Sequence, residues 1–324
     1  MQTPKQFLQR TLRRAGLYER LRATYLCDLY RKVENPKAAT ARHRELDFYR
    51  NLLIGFKKND LIFDIGANEG YKTSLFLSLG ARVVAVEPDD FSQAILTERF
   101  LKYRFKPKPV SLVAKAVSDK EKIETMWVDK PGSALNTLSQ KWVDALKIDR
   151  ERFGRCMDFA QRKLVQTITL DDLFVKYGLP VFVKVDVEGH ELSVLRGMSH
   201  AVPYLSFEMN LPEFRQEGSQ CVELLQELAA DGQFNYVVDC RGDGLVMRDW
   251  LSAPEFLRVL GQCKDSSVEV FWRTTHRRRE STQAMLVRSK TLDQGRLDDA
   301  LRKNMAERTW ADHIETKASV LFVS

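Results

Sequence analysis

Two stretches of the 324-residue chain combine residue types that could do chemistry. The first, D-I-G-A-N-E-G at 64–70, follows an apolar run and precedes a helical pattern. Asp64 ends the run, Gly66 lets the backbone turn and come close to a ligand, and Gly70 permits tight packing where a helix begins. Residue 68 is Asn and the glycines stand four apart, so this is not the G-x-G-x-x-G of dinucleotide binders, and a pyrophosphate has no cradle here. Further along, R-V-V-A-V (82–86) delivers Glu87 and Pro88. An acid at the end of a second strand can accept hydrogen bonds from both ribose hydroxyls of an adenosine, and its charge disfavours a phosphate. Two acids and a glycine turn suit a ligand with a cationic amino-acid end and an unphosphorylated ribose, which describes S-adenosylmethionine. Asp64 would then hold the ammonium, directly or through water, and Ser118-Asp119, after a third strand, would face the adenine.

The second stretch is V-K-V-D-V-E-G-H-E at 183–191. Asp186 and Glu188 alternate with apolar residues and so share one face of an extended chain, and Gly189 turns the backbone into a helix carrying His190 and Glu191. Beside a sulfonium, a carboxylate or imidazole here could take the proton of an attacking hydroxyl, and Glu208, ending Y-L-S-F-E-M (204–209), would arrive from a neighbouring strand. Capping of the following helix would account for Asp186 and Glu188 equally well. The three carboxylates are hard ligands that a divalent metal could use, but no spacing requires one and none is expected. His43, His200, His276 and His313 lack any partner pattern.

These residues need a frame. L-I-F-D-I (61–65), R-V-V-A-V, S-L-V-A-K-A-V (111–117), V-F-V-K-V-D-V (181–187) and Y-L-S-F-E-M read as strands, and 70–79, 90–102, 170–177 and 190–197 have helical spacing. Such alternation indicates βαβ units and a parallel sheet covered on both faces. K-I-E-T-M-W-V-D (122–129) leads into a polar stretch at 130–160 that would lie near the carboxyl ends of the strands, where α/β sheets bind ligands, and is expected to recognise substrate. After 219 come a helix, a hairpin turning at Arg241-Gly242-Asp243-Gly244, a helix (254–263) and the strand V-E-V-F-W-R-T (268–274), enough for seven strands.

Composition bounds the rest. Charged residues make up 29% and the net charge is +7, an ordinary globular balance that favours anionic partners without choosing among them. Residues 1–32 hold eight Lys or Arg against two acids, with apolar residues at helical steps, so most of the excess sits in a basic helical segment that Pro36 interrupts. That segment could touch an anionic membrane surface from the cytoplasm. The five cysteines are odd in number and scattered, with no C-x-x-C, so reduced thiols and a cytoplasmic location are expected. The expected division is 1–44 as basic helical extension, 45–275 as the catalytic domain and 276–324 as a charged tail.

D-I-G-A-N-E-G (64–70), V-E-P (86–88), A-V-S-D (116–119), T-L-D-D-L (169–173), K-V-D-V-E-G-H-E (184–191), L-R-G (195–197) and F-E (207–208), in this order, resemble the FkbM family of S-adenosylmethionine-dependent methyltransferases. The resemblance covers about residues 45–210. It implies an α/β fold of class I methyltransferase (Rossmann-like) type, a seven-stranded doubly wound sheet, here with an N-terminal helical extension. It further implies that Asp64, Gly66, Asn68, Glu87 and Asp119 line the cofactor site and that Asp186 and Glu188 lie where cofactor meets acceptor; Ala67, Gly70, Pro88 and Ser118 are expected to join the cofactor-binding residues, and His190 and Glu208 the catalytic ones. Family members commonly methylate hydroxyls of sugars, glycolipids or polyketide-type products, so a small-molecule or glycan acceptor is expected. The basic segments favour RNA as a rival substrate, but no aromatic-rich basic platform accompanies them. A cofactor-binding interaction protein without activity is the other rival.

Overall fold

The computed structural model describes residues 36–104, 109–149, 152–238 and 244–274. The basic segment 1–32, the turn at Arg241–Asp243 and the tail from 276, with His276 and His313, lie outside the described residues.

The core of the first strand explains the layering. In β1 (Leu61–Ile65) all five residues are buried. Ile62 belongs to a cluster with Tyr49 and Leu52 of α1 (Pro36–Leu52) and Leu75 and Phe76 of α2 (Tyr71–Leu79). Phe63, pointing to the other face, meets Phe174 of α5 (Leu170–Tyr177) with ring centroids 5.7 Å apart. A strand buried on both faces is the signature of a sheet covered on each side. Pro36 is the first described residue and stands at the start of α1, where its missing N–H costs nothing. The expected boundary at 44/45 falls inside this helix, whose Glu45 accepts from Tyr71 and Lys72 of α2.

The remaining elements are β2 (Arg82–Val86), α3 (Asp90–Arg99), β3 (Val110–Val113), β4 (Ala116–Val117), β5 (Ile123–Val128), α4 (Gln140–Ile148), β6 (Gln161–Ile168), β7 (Phe182–Val185), α6 (Glu191–Arg196), β8 (Tyr204–Asn210), α7 (Arg215–Leu228), β9 (Gln233–Val238), α8 (Ala253–Gln262) and β10 (Ser267–Arg273). Seven of the strands form one sheet in the order β3-β2-β1-β7-β8-β10-β9. The pairs from β3 through β8 are parallel, and β10 runs antiparallel between β8 and β9. The order reverses between β1 and β7, so their carboxyl ends open a crevice at the switch point.

Three segments depart from the expectation. The run 111–117 is two strands: β3 ends the main sheet, and β4 joins a separate three-stranded sheet, β4-β6-β5. β6 escapes sequence reading because only its last residues are buried and its first half is polar. The 130–160 stretch contains α4, capped by Ser139, whose side chain accepts from the Trp142 N–H. Trp142, Val143 and Leu146 of that helix are buried at helical spacing. No helix among the described residues is long and apolar enough to cross a membrane. Cys156, Cys221 and Cys263 are free thiols.

Candidate functional site

The β1–α2 turn is built from left-handed backbone. Gly66 and Gly70 have φ of 80° and 79°, and Asn68 has φ of 46°, a region that glycine and asparagine occupy most readily. A Cβ on Gly66 would stand 1.7 Å from the Asp186 carbonyl oxygen, so what this glycine admits is the neighbouring β7 turn. Its N–H and that of Ala67 donate to the Val86 carbonyl, and Gly70 packs against Leu96 of α3 and Phe100, which caps that helix. Three strand ends are thereby drawn together.

Between them lies a cavity of about 220 Å³, walled by Gly66, Asn68, Glu87, Pro88, Asp186, Glu188, His190 and Glu208 together with Lys115–Val117, Ser133, Ala134 and Asn136–Leu138. Glu87, at the end of β2, receives the Asn68 N–H at 2.9 Å and the Asp89 N–H at 2.8 Å. Burial nevertheless pushes its carboxyl up to about 7, against the pull of those two donors. Each of its oxygens keeps further lone pairs.

The opposite wall carries three carboxyls whose oxygens converge within 4.8 Å. Hydrogen bonding among them explains the closeness. Asp186 is joined to Glu208 by a side-chain hydrogen bond, and the Lys184 ammonium sits 2.6 Å from its Oδ2. Burial, the largest single influence, works against the charged form of Asp186, but the Lys184 charge and the hydrogen bonds from Glu208 and Lys184 together hold the carboxyl below its ordinary value. Lys184 is itself buried, and its pairing with Asp186 and Glu269 overrides desolvation and raises it. Glu208 goes the other way, well above the ordinary range, through burial and the Asp186 charge. It therefore keeps the shared proton. Glu188 is raised well above its ordinary value by burial and by Asp186 and Glu191.

Glu188 takes φ of 56° with Gly189 at 89° behind it. Such a left-handed non-glycine residue costs of order 1–3 kcal/mol and persists only where its surroundings hold it. Its carbonyl accepts the Thr137 hydroxyl at 2.7 Å and its carboxyl accepts Trp142 Nε1 at 2.9 Å. Both partners come from the 130–160 stretch, which also ties itself to the other wall. The Gly132 N–H donates to Asp89 Oδ1 at 3.1 Å and the Asn136 amide to Asp89 Oδ2 at 3.3 Å. The stretch is thus a strap running across the cavity from the β2 end to the β7 end.

Five of the expected site residues stand elsewhere. Asp64 is 1% exposed, accepts the Thr73 hydroxyl at 2.5 Å, and leaves Oδ1 without a partner; burial raises it despite nearby Lys184. It faces the α2 side of the strand and not the cavity. Ala67 and Gly70 supply turn and packing, outside the cavity wall. Asp119 is exposed and paired with Lys122, and Ser118 is buried against Glu124 and His190. The chain leaves the main sheet at β4, and this carries both away from the adenine side. Lys115, Ala116 and Val117 take that place in the wall. Lys184 was overlooked although a lysine inside a strand otherwise apolar on both faces is itself a signal.

The donor set fits S-adenosylmethionine. Glu87 has lone pairs for ribose hydroxyls, Pro88 and Val117 offer apolar surface for a base, and the acidic wall suits a sulfonium. This fit rests on the charge and hydrogen-bonding capacity of side chains that already line one cavity.

Residues 64–237 match the model of the methyltransferase FkbM domain. No curated protein matches the sequence. Among solved structures, an FkbM methyltransferase from Methylobacillus flagellatus is 15% identical, with 69% of this chain and 46% of that one covered and a TM-score of 0.43. This chain thus spans a little under half of that protein's length. An S-adenosylmethionine-dependent methyltransferase from Agrobacterium tumefaciens is 10% identical over 72% of this chain and 62% of that one, at 0.34. The plantazolicin methyltransferase, solved with SAH and a substrate analogue, is 9% identical over 83% and 100%, at 0.36. At these scores the likenesses carry no weight, and the assignment stands on the family match and the strand order. With more than half of its residues matching that domain, the chain belongs to the FkbM methyltransferase family.

Proposed function

We propose that the protein is an S-adenosylmethionine-dependent O-methyltransferase whose acceptor is a hydroxyl of a saccharide, glycolipid or related natural product. One observation carries this reading: a single cavity joins a ribose-binding type of acid, Glu87, to a wall of carboxyls and an imidazole at the β7 and β8 ends. Bound there, S-adenosylmethionine supplies a methyl group already activated by its sulfonium. The chain's own residues then have two tasks. Gly66, Asn68, Glu87 and Pro88 hold and orient the adenosine end. Asp186, Glu188, His190 and Glu208 face the acceptor. Positioning contributes most, because an activated methyl needs chiefly an oxygen held in line with it.

Ser133, Asn136 and Thr137 of the strap and the carboxyls opposite offer both donors and acceptors at the cavity, as a polyhydroxylated acceptor requires. Incubation of the full chain with methyl-labelled S-adenosylmethionine and a fractionated extract of the source cells tests the reading. Label in the glycan or lipid fraction is expected. Label confined to RNA or protein defeats it.

A further inference from the structure

Ser118, at the end of β4, is fully buried, and its hydroxyl oxygen has three polar neighbours: Glu124 Oε1 at 2.7 Å, Asp119 Oδ1 at 3.2 Å and His190 Nε2 at 3.0 Å. A hydroxyl carries one proton, and a carboxylate has none to give. Both carboxylates are also paired with Lys122, at 2.9 Å and 3.0 Å. If Ser118 gave its proton to the imidazole, its lone pairs would face a carboxylate oxygen at 2.7 Å with no hydrogen between them. The Ser118 proton therefore goes to Glu124. His190 must then donate from Nε2, which leaves the lone pair on Nδ1. Nδ1 has no hydrogen-bond partner among the described residues, and His190 stands in the cavity wall beside Asp186, Glu188 and Glu208.

We propose that Nδ1 of His190 is the base that takes the acceptor's hydroxyl proton, with Ser118 and Glu124 as positioning residues that lock its tautomer and balance the charge it gains. The proposal rests on the methylation reading above and selects among its four candidates. Glu188 and Glu208 are the carboxyls that hold protons, and Asp186 is already occupied by Lys184 and Glu208. Burial keeps His190 below its ordinary value, with Glu124 and Asp119 pulling up and Lys122 pushing down, so the ring is neutral near pH 7.

The step balances. A lone pair of the acceptor oxygen forms the bond to the methyl carbon, and the carbon–sulfur pair leaves with sulfur. The O–H pair returns to oxygen as the proton binds the Nδ1 lone pair. The positive charge that sulfur loses is the one the imidazole gains, and Glu124, acting through Ser118, faces it.

Two-bond nitrogen–proton NMR spectra of the full chain labelled at histidine read the tautomer directly. His190 is expected as the Nε2–H form at pH 8, and an Nδ1–H imidazole overturns the proposal. Glu124→Gln should lower the midpoint of the His190 titration by removing the facing anion, and an unmoved midpoint counts against the relay. In the labelled-extract assay His190→Gln should lose about 10²–10⁴-fold in transfer while calorimetric affinity for S-adenosylmethionine is retained. Undiminished transfer overturns it. Absence of any label with the wild-type chain defeats the methylation reading as a whole, whereas label together with an Nδ1–H imidazole defeats this proposal alone.

Discussion

At the residue scale the site is governed by how each acid is solvated. Glu87 is pushed up to about 7 by burial, so it ionises across the neutral range. Ribose hydroxyls donate more strongly to the carboxylate than to the acid. Affinity for S-adenosylmethionine should therefore rise with pH through about 7 and level off above it. Glu87→Ala should weaken binding about 10–150-fold, the loss of one bond to a charged acceptor at about 1.5–3 kcal/mol, and should flatten that pH dependence. Calorimetry at several pH values reads both effects.

Glu191 shows the same physics without a ligand. Its Oε1 accepts the N–H groups of Val187 and Gly189 at 3.1 and 3.2 Å, while burial, the larger influence, holds its carboxyl up at about 7. An acid raised in the folded state favours folding most below its ordinary value near 4.5, and that contribution is lost as pH climbs to about 7. Glu191→Gln keeps an oxygen for both donors and removes the ionisation. Thermal melts should find it close to wild type at pH 4.5 and more stable at pH 8, by up to about 3 kcal/mol. Equal destabilisation at both pH values would contradict the assignment.

At the element scale the strap and the turns decide the site. Asp89 caps α3 through the Ser92 N–H at 2.9 Å and also receives Gly132 and Asn136 of the strap. One side chain thus fixes a helix end and one anchor of the cavity cover. Asp89→Ala should cost about 0.5–2 kcal/mol as a lost cap and should speed amide hydrogen exchange across 130–137, measured by mass spectrometry. Exchange confined to the first turn of α3 would show that the strap is held by its Glu188 end alone. Two helix starts are set locally: Thr169 with Asp172 on α5 and Ser252 with Glu255 on α8 form capping boxes. The helix within 130–160 is not legible in the sequence, because it is short and the turn residues Pro131 and Gly132 and the many charges around it mask the spacing of Trp142, Val143 and Leu146. Trp142 and Thr137 acquire their role only by reaching Glu188, some fifty positions away in the chain.

At the scale of the whole molecule the seven-stranded sheet is clasped by α1. Tyr49, 1% exposed, meets the rings of Phe76 at 5.1 Å and Phe182 at 5.6 Å. The second half of this helix, beyond the expected boundary at 44/45, is therefore part of the core. Tyr49→Ala should cost about 3–5 kcal/mol, as large aromatic truncations in cores do, and lower the melting temperature by about 2–4 °C for each kcal/mol in a domain of this size. Scanning calorimetry checks this. A change within about 0.5 kcal/mol, the surface range, would contradict the packing of α1 in the core.

What the chain determined by itself was local or periodic. The runs at 61–65, 82–86, 182–185 and 204–210 are apolar enough to be buried strands, and Asp64, Glu87, Asp186 and Glu208 stand at or near their carboxyl ends by position alone. The parallel order and the cofactor class followed from that spacing. What only the tertiary structure decided was direction and company. Asp64 turns under α2 instead of into the cavity because the strand pleat points it there, and Ser118 turns to His190 because β4 joins a different sheet. Alternation along a strand says which residues share a face, but which face meets the crevice depends on neighbours distant in sequence. So does the ionisation of each acid, which is set by Lys184, Trp142 and burial together.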